Sequence, residues 1–201
     1  MPELLELVQG RLFEDTMPSY DFGQEFFCNV VYIHFATTSI IKERLPFVID
    51  NFRKLGVKDV VCMHDECYGA FASLAPAYGI EVPFKPIHYF EYLVKRLKEL
   101  SQEIRPLSIK AAYQRPCSSR LSADQHHLME DIMKLIGVEL VQREYQGENS
   151  LCCGGIFKMM YGYGLANDVE KRNIDDMVEH GAEYCAFNCP ACYNAIATKV
   201  A

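Results

Sequence analysis

Apolar residues recur along this chain at helical spacing in some stretches and in short unbroken runs in others. The spacing between Lys42 and Leu55 predicts a helix, and Gly56 supplies a stop at its end. Residues 59–63 form a short apolar run that predicts a buried strand. The same patterns predict helices over 68–78, 87–103, 123–136 and 167–178, strands over 108–113, 138–145 and 183–187, and a last helix beginning at Pro190. Strands that alternate with helices predict an α/β fold with parallel sheets covered by helices.

The sequence also resembles itself at a fixed offset. A shift of 125 residues superimposes, without a gap, Cys28 on Cys153, Ile49 on Ile174, Asp50 on Asp175, Gly56 on Gly181, Cys67 on Cys192, Tyr68 on Tyr193, Ala70 on Ala195 and Ala72 on Ala197. Solenoid repeats have far shorter periods. We therefore predict two pseudo-symmetric lobes, residues 1–105 and 106–201, each a small parallel sheet flanked by helices.

Composition narrows the class of protein. Half of the 201 residues are hydrophobic, 23% are charged and the net charge is -7, which indicates a globular chain without the basic surface of a nucleic-acid binder. No apolar run approaches the roughly 18 residues needed to cross a bilayer, and the first residues are acidic where a secretory signal would be basic. We expect a cytoplasmic protein that does not itself span a membrane.

The cysteines are the residues that indicate a chemical function for this chain. Nine cysteines are many for a chain without a secretory signal, and an odd number does not suit a disulfide scaffold. Cys189 and Cys192 form a C-x-x-C, while Cys152 and Cys153 are adjacent and are followed by two glycines that allow the sharp bend a vicinal pair needs. Cys117 ends a predicted strand, where α/β folds place functional groups. The spacings predict that these five cysteines converge.

The number of converging cysteines bears on what they bind. The pattern consists of a single cysteine, then 34 intervening residues and a vicinal pair, then 35 further residues and a C-x-x-C. It supplies five thiols, whereas zinc needs only four ligands. An iron–sulfur cluster distributes thiolates over several irons, so the spacing favours a cluster. Zinc, and reactive or packing thiols, are the alternatives that the residues leave open. A thioredoxin-like dithiol at the C-x-x-C would leave three cysteines unexplained.

This cysteine pattern resembles the cysteine-rich CCG domain of heterodisulfide reductases and of related iron–sulfur proteins. The run Tyr113-Gln114-Arg115-Pro116-Cys117 is similar to the family's strand-end pattern, except that Gln114 stands where a histidine is common. The resemblance covers roughly residues 27–200. It implies one [4Fe-4S] cluster, noncubane in some members, with the ligands Cys117, Cys152, Cys153, Cys189 and Cys192.

The resemblance also implies a function. We expect an electron-transfer subunit of a heterodisulfide reductase-like redox complex, an oxidoreductase part that receives electrons from a flavoprotein or ferredoxin-like subunit. Its acceptor would be a disulfide or a quinone-linked group. The alternative is a zinc-binding or structural and assembly subunit of such a complex, without a redox role.

The first lobe carries a degenerate copy of the motif. Under the shift of 125 residues, Phe27 replaces the first cysteine of the vicinal pair, Cys28 keeps the second, His64 replaces the first cysteine of the C-x-x-C and Cys67 keeps the last. Cys28, His64 and Cys67 are too few for a second cluster of the family type, but they would suffice for a zinc site, with an open position unless Cys62 or His34 supplies a fourth ligand. The other interpretations are a decayed motif whose residues pack or hydrogen-bond, and a catalytic or gating role, for which His64 could move protons.

Several other features have plain structural interpretations. His126 and His127 fall in a predicted helix and point about 100° apart, which is typical of a solvated face. Residues 159–163, rich in methionine and tyrosine, are expected to line a wall near the vicinal cysteines. Cys62 and Cys185 lie in predicted buried strands, where we expect them to pack in the core.

Overall fold

A computed structural model of the chain describes residues 24–200, except for the side chains of Gln24, Thr198 and Val200. The chain divides into two compact units between Glu103 and Ile104. Each unit has its own parallel sheet, one of two strands and one of three, flanked by helices. The predicted α/β class with two small parallel sheets is therefore confirmed. None of the helices within residues 24–200 combines the length and the apolar character that crossing a membrane requires.

The first unit is built around two parallel strands and one long helix. Its elements are 3₁₀ turns Gln24–Phe26 and Val30–Phe35, α1 Thr38–Leu55, β1 Asp59–Cys62, α2 Asp65–Gly69, a π-helical turn Ala70–Leu74, α3 Ala75–Ala77, β2 Lys85–His88 and α4 Tyr89–Glu99. The buried face of α1 is apolar at helical spacing and is fully shielded from solvent at Ile41, Leu45, Val48 and Ile49. Burying each such side chain contributes about 1.5–3 kcal/mol.

Strand β2 (Lys85–His88) corrects the predicted helix over 87–103. Its residues pair in parallel register with β1, Val61 opposite Ile87 and Cys62 opposite His88. The helix then begins only at Tyr89, because the His88 side chain caps it by accepting a hydrogen bond from the amide of Phe90 at 3.1 Å. A four-residue strand that contains a proline carries no periodicity of its own, so pairing with β1 decides its conformation.

The second unit has three strands. Its elements are β3 Ile109–Gln114, 3₁₀ turns Cys117–Leu121 and Ala123–Gln125, α5 His127–Leu135, β4 Val138–Leu140, a 3₁₀ turn Gly147–Asn149, α6 Gly155–Tyr161, α7 Tyr163–Glu179, β5 Tyr184–Phe187 and α8 Pro190–Val200. The strand order is β4-β3-β5 and both pairings are parallel. The carboxyl ends of β3 and β5 therefore meet at one edge of the sheet, which is where Cys117 and Cys189 follow them.

The predicted strand over 138–145 is too long. Strand β4 (Val138–Leu140) ends early: after one last backbone bond, from the amide of Val141 to the carbonyl of Ala111, the chain bonds to a side chain instead of to β3. The amides of Glu144 and Tyr145 both donate to the Asp176 carboxylate, at 3.1 Å. The predicted helix over 123–136 is likewise shortened, since its first residues form a separate 3₁₀ turn.

Corresponding elements of the two units recur at the offset that the sequence shows. Helix α1 (Thr38–Leu55) matches α7 (Tyr163–Glu179), and β1 (Asp59–Cys62) matches β5 (Tyr184–Phe187). Gly56 and Gly181, which end the two helices, have φ of 69° and 77°. The backbone after the matching cysteines also corresponds, because Asn29 (φ 57°) and Gly154 (φ 85°) are both left-handed.

Candidate functional site

Three loops at the carboxyl edge of the β4-β3-β5 sheet carry the five cysteines of the second unit. Cys117 opens the 3₁₀ turn that follows β3, and Cys152 and Cys153 precede the first turn of α6 (Gly155–Tyr161). Cys189 immediately precedes α8 (Pro190–Val200), whose third residue is Cys192. Pro190 suits the first helical position because its missing N–H would have no partner there.

The structure brings the five sulfur atoms together. Cys152 hydrogen-bonds to Cys117 on one side and to Cys153 on the other. Cys153 also bonds to Cys192, which in turn bonds to Cys189. The five thiols therefore form one continuous chain of side-chain contacts across the three loops.

The middle of this chain of thiols is buried and its two ends are more exposed. Cys192 is 2% exposed and Cys153 is 5% exposed, and both pack against Ala195 and Ile196. Cys152 and Cys189 are partly buried, whereas Cys117 is exposed. The site thus has an apolar floor and is open to solvent on the side of Cys117.

The contacts between thiols set their acidity. Hydrogen bonds from Cys152 and then from Cys192 lower the pKa of Cys153 to about 4, against the effect of burial. The pKa of Cys192 is raised, first because its hydrogen bonds to Cys153 and Cys189 favour the thiol form and second because it is buried. Cys117 lowers the pKa of Cys152, but Cys153 and burial outweigh it, so that pKa is raised. One thiolate, Cys153, is held by its neighbours.

The turn after the vicinal cysteines depends on Gly154. This residue has φ of 85°, and its amide donates to the Cys152 sulfur at 3.4 Å. A Cβ added there would lie 2.6 Å from Cγ and Oε1 of Glu170. Glycine is therefore required twice, once by the backbone conformation and once by the approach of Glu170.

Glu170 is a fully buried carboxylate beneath this turn. Lys158 of α6 forms an ion pair with its Oε1 at 2.5 Å, and Lys199 of α8 (Pro190–Val200) forms a second ion pair with its Oε2. Two cations around one carboxylate leave a local excess of positive charge. The paired charges also join α6 and α8, which carry or flank four of the five cysteines.

Gln114 connects two of the cysteine loops. Its Nε2 donates to the carbonyl of Arg115 at 3.1 Å and to the carbonyl of Leu151, the residue before Cys152, at 3.0 Å. Its Oε1 accepts from Nδ2 of Asn173 at 2.6 Å. The side chain is 1% exposed and all three of its bonds are made within the protein. Gln114 therefore fixes the Cys117 loop against the Cys152 loop.

The neighbouring residue, Tyr113, connects the third loop. Its hydroxyl donates to Oδ1 of Asn188, the residue before Cys189, at 3.0 Å. Its carbonyl accepts from Nη2 of Arg143 at 3.1 Å, and Nη1 of the same side chain donates to Asp176 at 2.9 Å. All three loops are thus tied to the end of β3 (Ile109–Gln114).

Sequence reasoning missed a polar group beside Cys117. The Arg115 guanidinium donates to Oγ of Ser119 at 2.7 Å and to the carboxylate of Glu148 at 3.1 Å. It also lies 2.7 Å from Nδ1 of His126. The expectation that His126 faces solvent is therefore wrong, because Arg115 and the Ser119 carbonyl hold it against the Cys117 turn. The pairing of Arg115 with His126 depends on the turn and leaves no pattern in the sequence.

The methionines and tyrosines at 159–163, which were expected to line a wall near the vicinal cysteines, are exposed. Met159, Tyr161 and Tyr163 are 70%, 66% and 72% exposed, so their apolar surfaces face solvent. The two cysteines expected to pack in strands do so in part. Cys62 is 3% exposed, and burial raises its pKa to about 12. Cys185 is partly buried against the core of the second unit, and burial raises its pKa to about 11.

The degenerate motif of the first unit brings together two of its three candidate ligands. The sulfur atoms of Cys28 and Cys67 are 3.7 Å apart. His64 caps α2 (Asp65–Gly69), its Nδ1 accepting from the amide of Glu66 at 3.3 Å. Within residues 24–200 no group of three or more His, Cys, Asp or Glu side chains is already arranged to hold a metal ion, either at this motif or at the five cysteines of the second unit. A zinc site at Cys28, His64 and Cys67 stays a prediction.

Comparison with known proteins agrees with the position of the cysteines. Residues 111–197 match the family model described as CCG, cysteine-rich domain. The matched range contains all five cysteines of the site. It also contains Gln114, Arg143 and Glu170, so the surrounding polar groups belong to the same domain.

A distant curated relative is a redox protein. The chain is 24% identical over 164 residues to a protein named EtfAB:quinone oxidoreductase from Syntrophomonas wolfei subsp. wolfei (strain DSM 2245B / Goettingen). The match covers 76% of this chain and 22% of that protein, so the chain spans about a fifth of the length of its relative. The pattern of cysteines, their convergence and the family match agree: residues 111–197 of this chain match the cysteine-rich CCG domain family.

Proposed function

We propose that the second unit holds one iron–sulfur cluster through Cys117, Cys152, Cys153, Cys189 and Cys192 and serves as an electron-transfer component of a redox complex. The observation that carries this proposal is the continuous contact between five thiols from three loops. Five sulfur donors exceed the need of a tetrahedral zinc ion and suit a centre with several irons. The all-thiol donor set therefore fits a cluster.

When bound, an iron–sulfur cluster supplies a carrier that takes up and releases electrons one at a time. The protein's own residues hold and shield it. Ala195 and Ile196 exclude water from the side of Cys153 and Cys192. Gln114 and Tyr113 tie the three loops to the end of β3 and so limit how far the thiols can separate. The positive excess around Glu170 favours the added negative charge of a reduced state.

We further propose that electrons reach this unit from a flavoprotein or ferredoxin-like partner. The relative's name pairs EtfAB with a quinone. That name supports a quinone-linked acceptor as the first to test, and a disulfide as the second. Stopped-flow reoxidation of the dithionite-reduced chain by a water-soluble quinone and by a small disulfide would separate them.

The primary test is anaerobic purification followed by analysis of iron, sulfide and zinc, with absorption and EPR spectra. We expect about four irons and four sulfides per chain, as for a single [4Fe-4S] centre. Cys153→Ser should lose the iron and the spectrum. Cys185→Ser is the matched control, because Cys185 lies in strand β5 of the same unit but packs in the core.

Three other outcomes would each refute all or part of this proposal. Zinc without iron or sulfide would refute the proposal and favour the structural or assembly role. Iron that Cys153→Ser and Cys185→Ser both retain would refute the ligand assignment. A cluster that neither dithionite reduces nor an oxidant oxidises would refute the electron-transfer role while leaving the ligand set intact.

A further inference from the structure

A pair of thiols in the first unit lies outside the five-cysteine site of the second unit. Sγ of Cys28 and Sγ of Cys67 are 3.7 Å apart, although the residues are separated by 39 positions in the chain. Cys28 is 5% exposed and Cys67 is partly buried. Disulfide bonds have an S–S length of about 2.05 Å, so the two sulfurs need to approach by less than the diameter of one atom.

The groups around the pair favour a bond between the two sulfurs over shared binding of a metal ion. His64, the third candidate ligand, uses Nδ1 to cap α2 (Asp65–Gly69). The nearby Cys62 donates to the carbonyl of Val60 at 3.8 Å. Cys28 and Cys67, by contrast, face each other directly, and the hydrogen bond from Cys67 lowers the pKa of Cys28. Two sulfur atoms in direct contact can close to a disulfide once an oxidant has formed a mixed disulfide with one of them.

We propose that Cys28 and Cys67 are a redox-active dithiol that closes to a reversible disulfide, with low-molecular-weight disulfides as its oxidant. One sulfur of the pair attacks the small disulfide, forming a mixed disulfide and releasing one small thiol. The other sulfur then displaces the second small thiol and closes the Cys28–Cys67 bond. Two electrons pass from the pair to the reagent, and both protons leave on the released thiols.

A Cys28–Cys67 disulfide would restrain the segment formed by residues 24–36. That segment already contacts α2 at a second point, since Nε2 of His34 lies 3.1 Å from the Glu66 carboxylate. It contains a six-residue 3₁₀ helix, Val30–Phe35, flanked by left-handed backbone at Asn29 and Ala36. Six residues are many for a 3₁₀ helix, and alanine rarely adopts positive φ. Oxidation fixes this segment to the start of α2, and reduction leaves it held by weaker contacts.

The experiment uses the full chain, purified anaerobically and equilibrated in buffers of reduced and oxidised glutathione. After quenching and alkylation of remaining thiols, trypsin places Cys28 alone in residues 12–42 and places Cys67 in a peptide beginning at Asp59. We expect these two peptides to become linked as the buffer is made more oxidising, and to separate again in dithiothreitol. Fragmentation of the linked peptides identifies the second cysteine.

Two matched variants test the assignment. Cys67→Ser should lose the linked peptide, while Cys62→Ser, which alters the other cysteine of the same peptide, should retain it. The wild-type measurement needs neither variant to fold. Linkage through Cys62, no linkage at any buffer ratio, or stoichiometric zinc that protects Cys28 and Cys67 from alkylation would each overturn the proposal. Iron content does not enter the result, so this test is independent of the proposed cluster.

Discussion

Replacing Gln114 with leucine tests the claim that this side chain holds two cysteine loops together. The substitution keeps the approximate volume but removes both donated bonds, to the carbonyls of Leu151 and Arg115, and leaves Nδ2 of Asn173 without its acceptor. A buried polar group that loses its partner costs about 1–3 kcal/mol. The added apolar burial offsets part of that cost, so we expect the free energy of unfolding of the second unit to fall by about 3 kcal/mol.

The assay is hydrogen exchange of the metal-free, reduced chain as a function of urea, measured by mass spectrometry on peptides that contain β3 (Ile109–Gln114). These peptides report the second unit alone, which a spectroscopic signal from the whole chain would not. Gln142→Leu is the control, since it makes the same change on an exposed side chain. If Gln114→Leu differs from Gln142→Leu by less than about 0.5 kcal/mol, the carboxamide does not hold the loops and the reasoning is refuted.

Three further changes probe the same unit. Asp176→Asn should lower the stability of the unit at neutral pH and flatten its loss of stability in acid. Burial raises the pKa of Asp176, but the hydrogen bonds that the carboxylate accepts outweigh burial, so the pKa is lowered. The stabilising contribution of Asp176 is therefore present above its ordinary pKa and is lost as the pH falls through the lowered value, which urea unfolding at several pH values measures. Gly154→Ala should destabilise the unit by about 2–4 kcal/mol in the same hydrogen-exchange assay, because of both the positive φ and the contact with a buried carboxylate. Gly147→Ala is the control: this residue has φ of 56° and nothing within 4 Å, so the substitution should cost only about 1 kcal/mol. Equal costs would contradict the steric argument. In the metal-free chain the ultraviolet absorbance of thiolate should persist from neutral pH down to about pH 5, because the pKa of Cys153 is lowered to about 4. Cys153→Ser should lose this absorbance, whereas Cys185→Ser should keep it, because the pKa of Cys185 is raised to about 11. Absorbance that does not depend on Cys153 would contradict the assignment.

The periodic elements of the fold were accessible from the sequence because they are local. Helix α1 (Thr38–Leu55) and strand β5 (Tyr184–Phe187) lie close to their predicted positions, since apolar spacing and the glycine stops act over a few residues. Strand β2 (Lys85–His88) was not accessible, because only its pairing with β1 distinguishes it from the start of a helix.

The five cysteines of the CCG site were also found from the sequence. Their spacing places them after strands and at bends, and parallel strands bring such positions to one edge. The side chains that order the site were not found. Glu170 is an ordinary polar residue in the sequence, Gln114 was noted only because it stands where a histidine is common in the family, and His126 was assigned to solvent. Their partners are 59, 29 and 11 positions away in the chain, so no local pattern marks them.

The sequence by itself therefore determined the fold class, the internal offset of 125 residues and which cysteines could converge. Each depends on residue type and spacing, which a linear chain displays directly. The tertiary structure alone decided which thiol is the thiolate, which polar groups tie the loops, and that Cys28 and Cys67 stand in contact. Burial and hydrogen bonding between distant segments set these properties, and both exist only once the chain has folded.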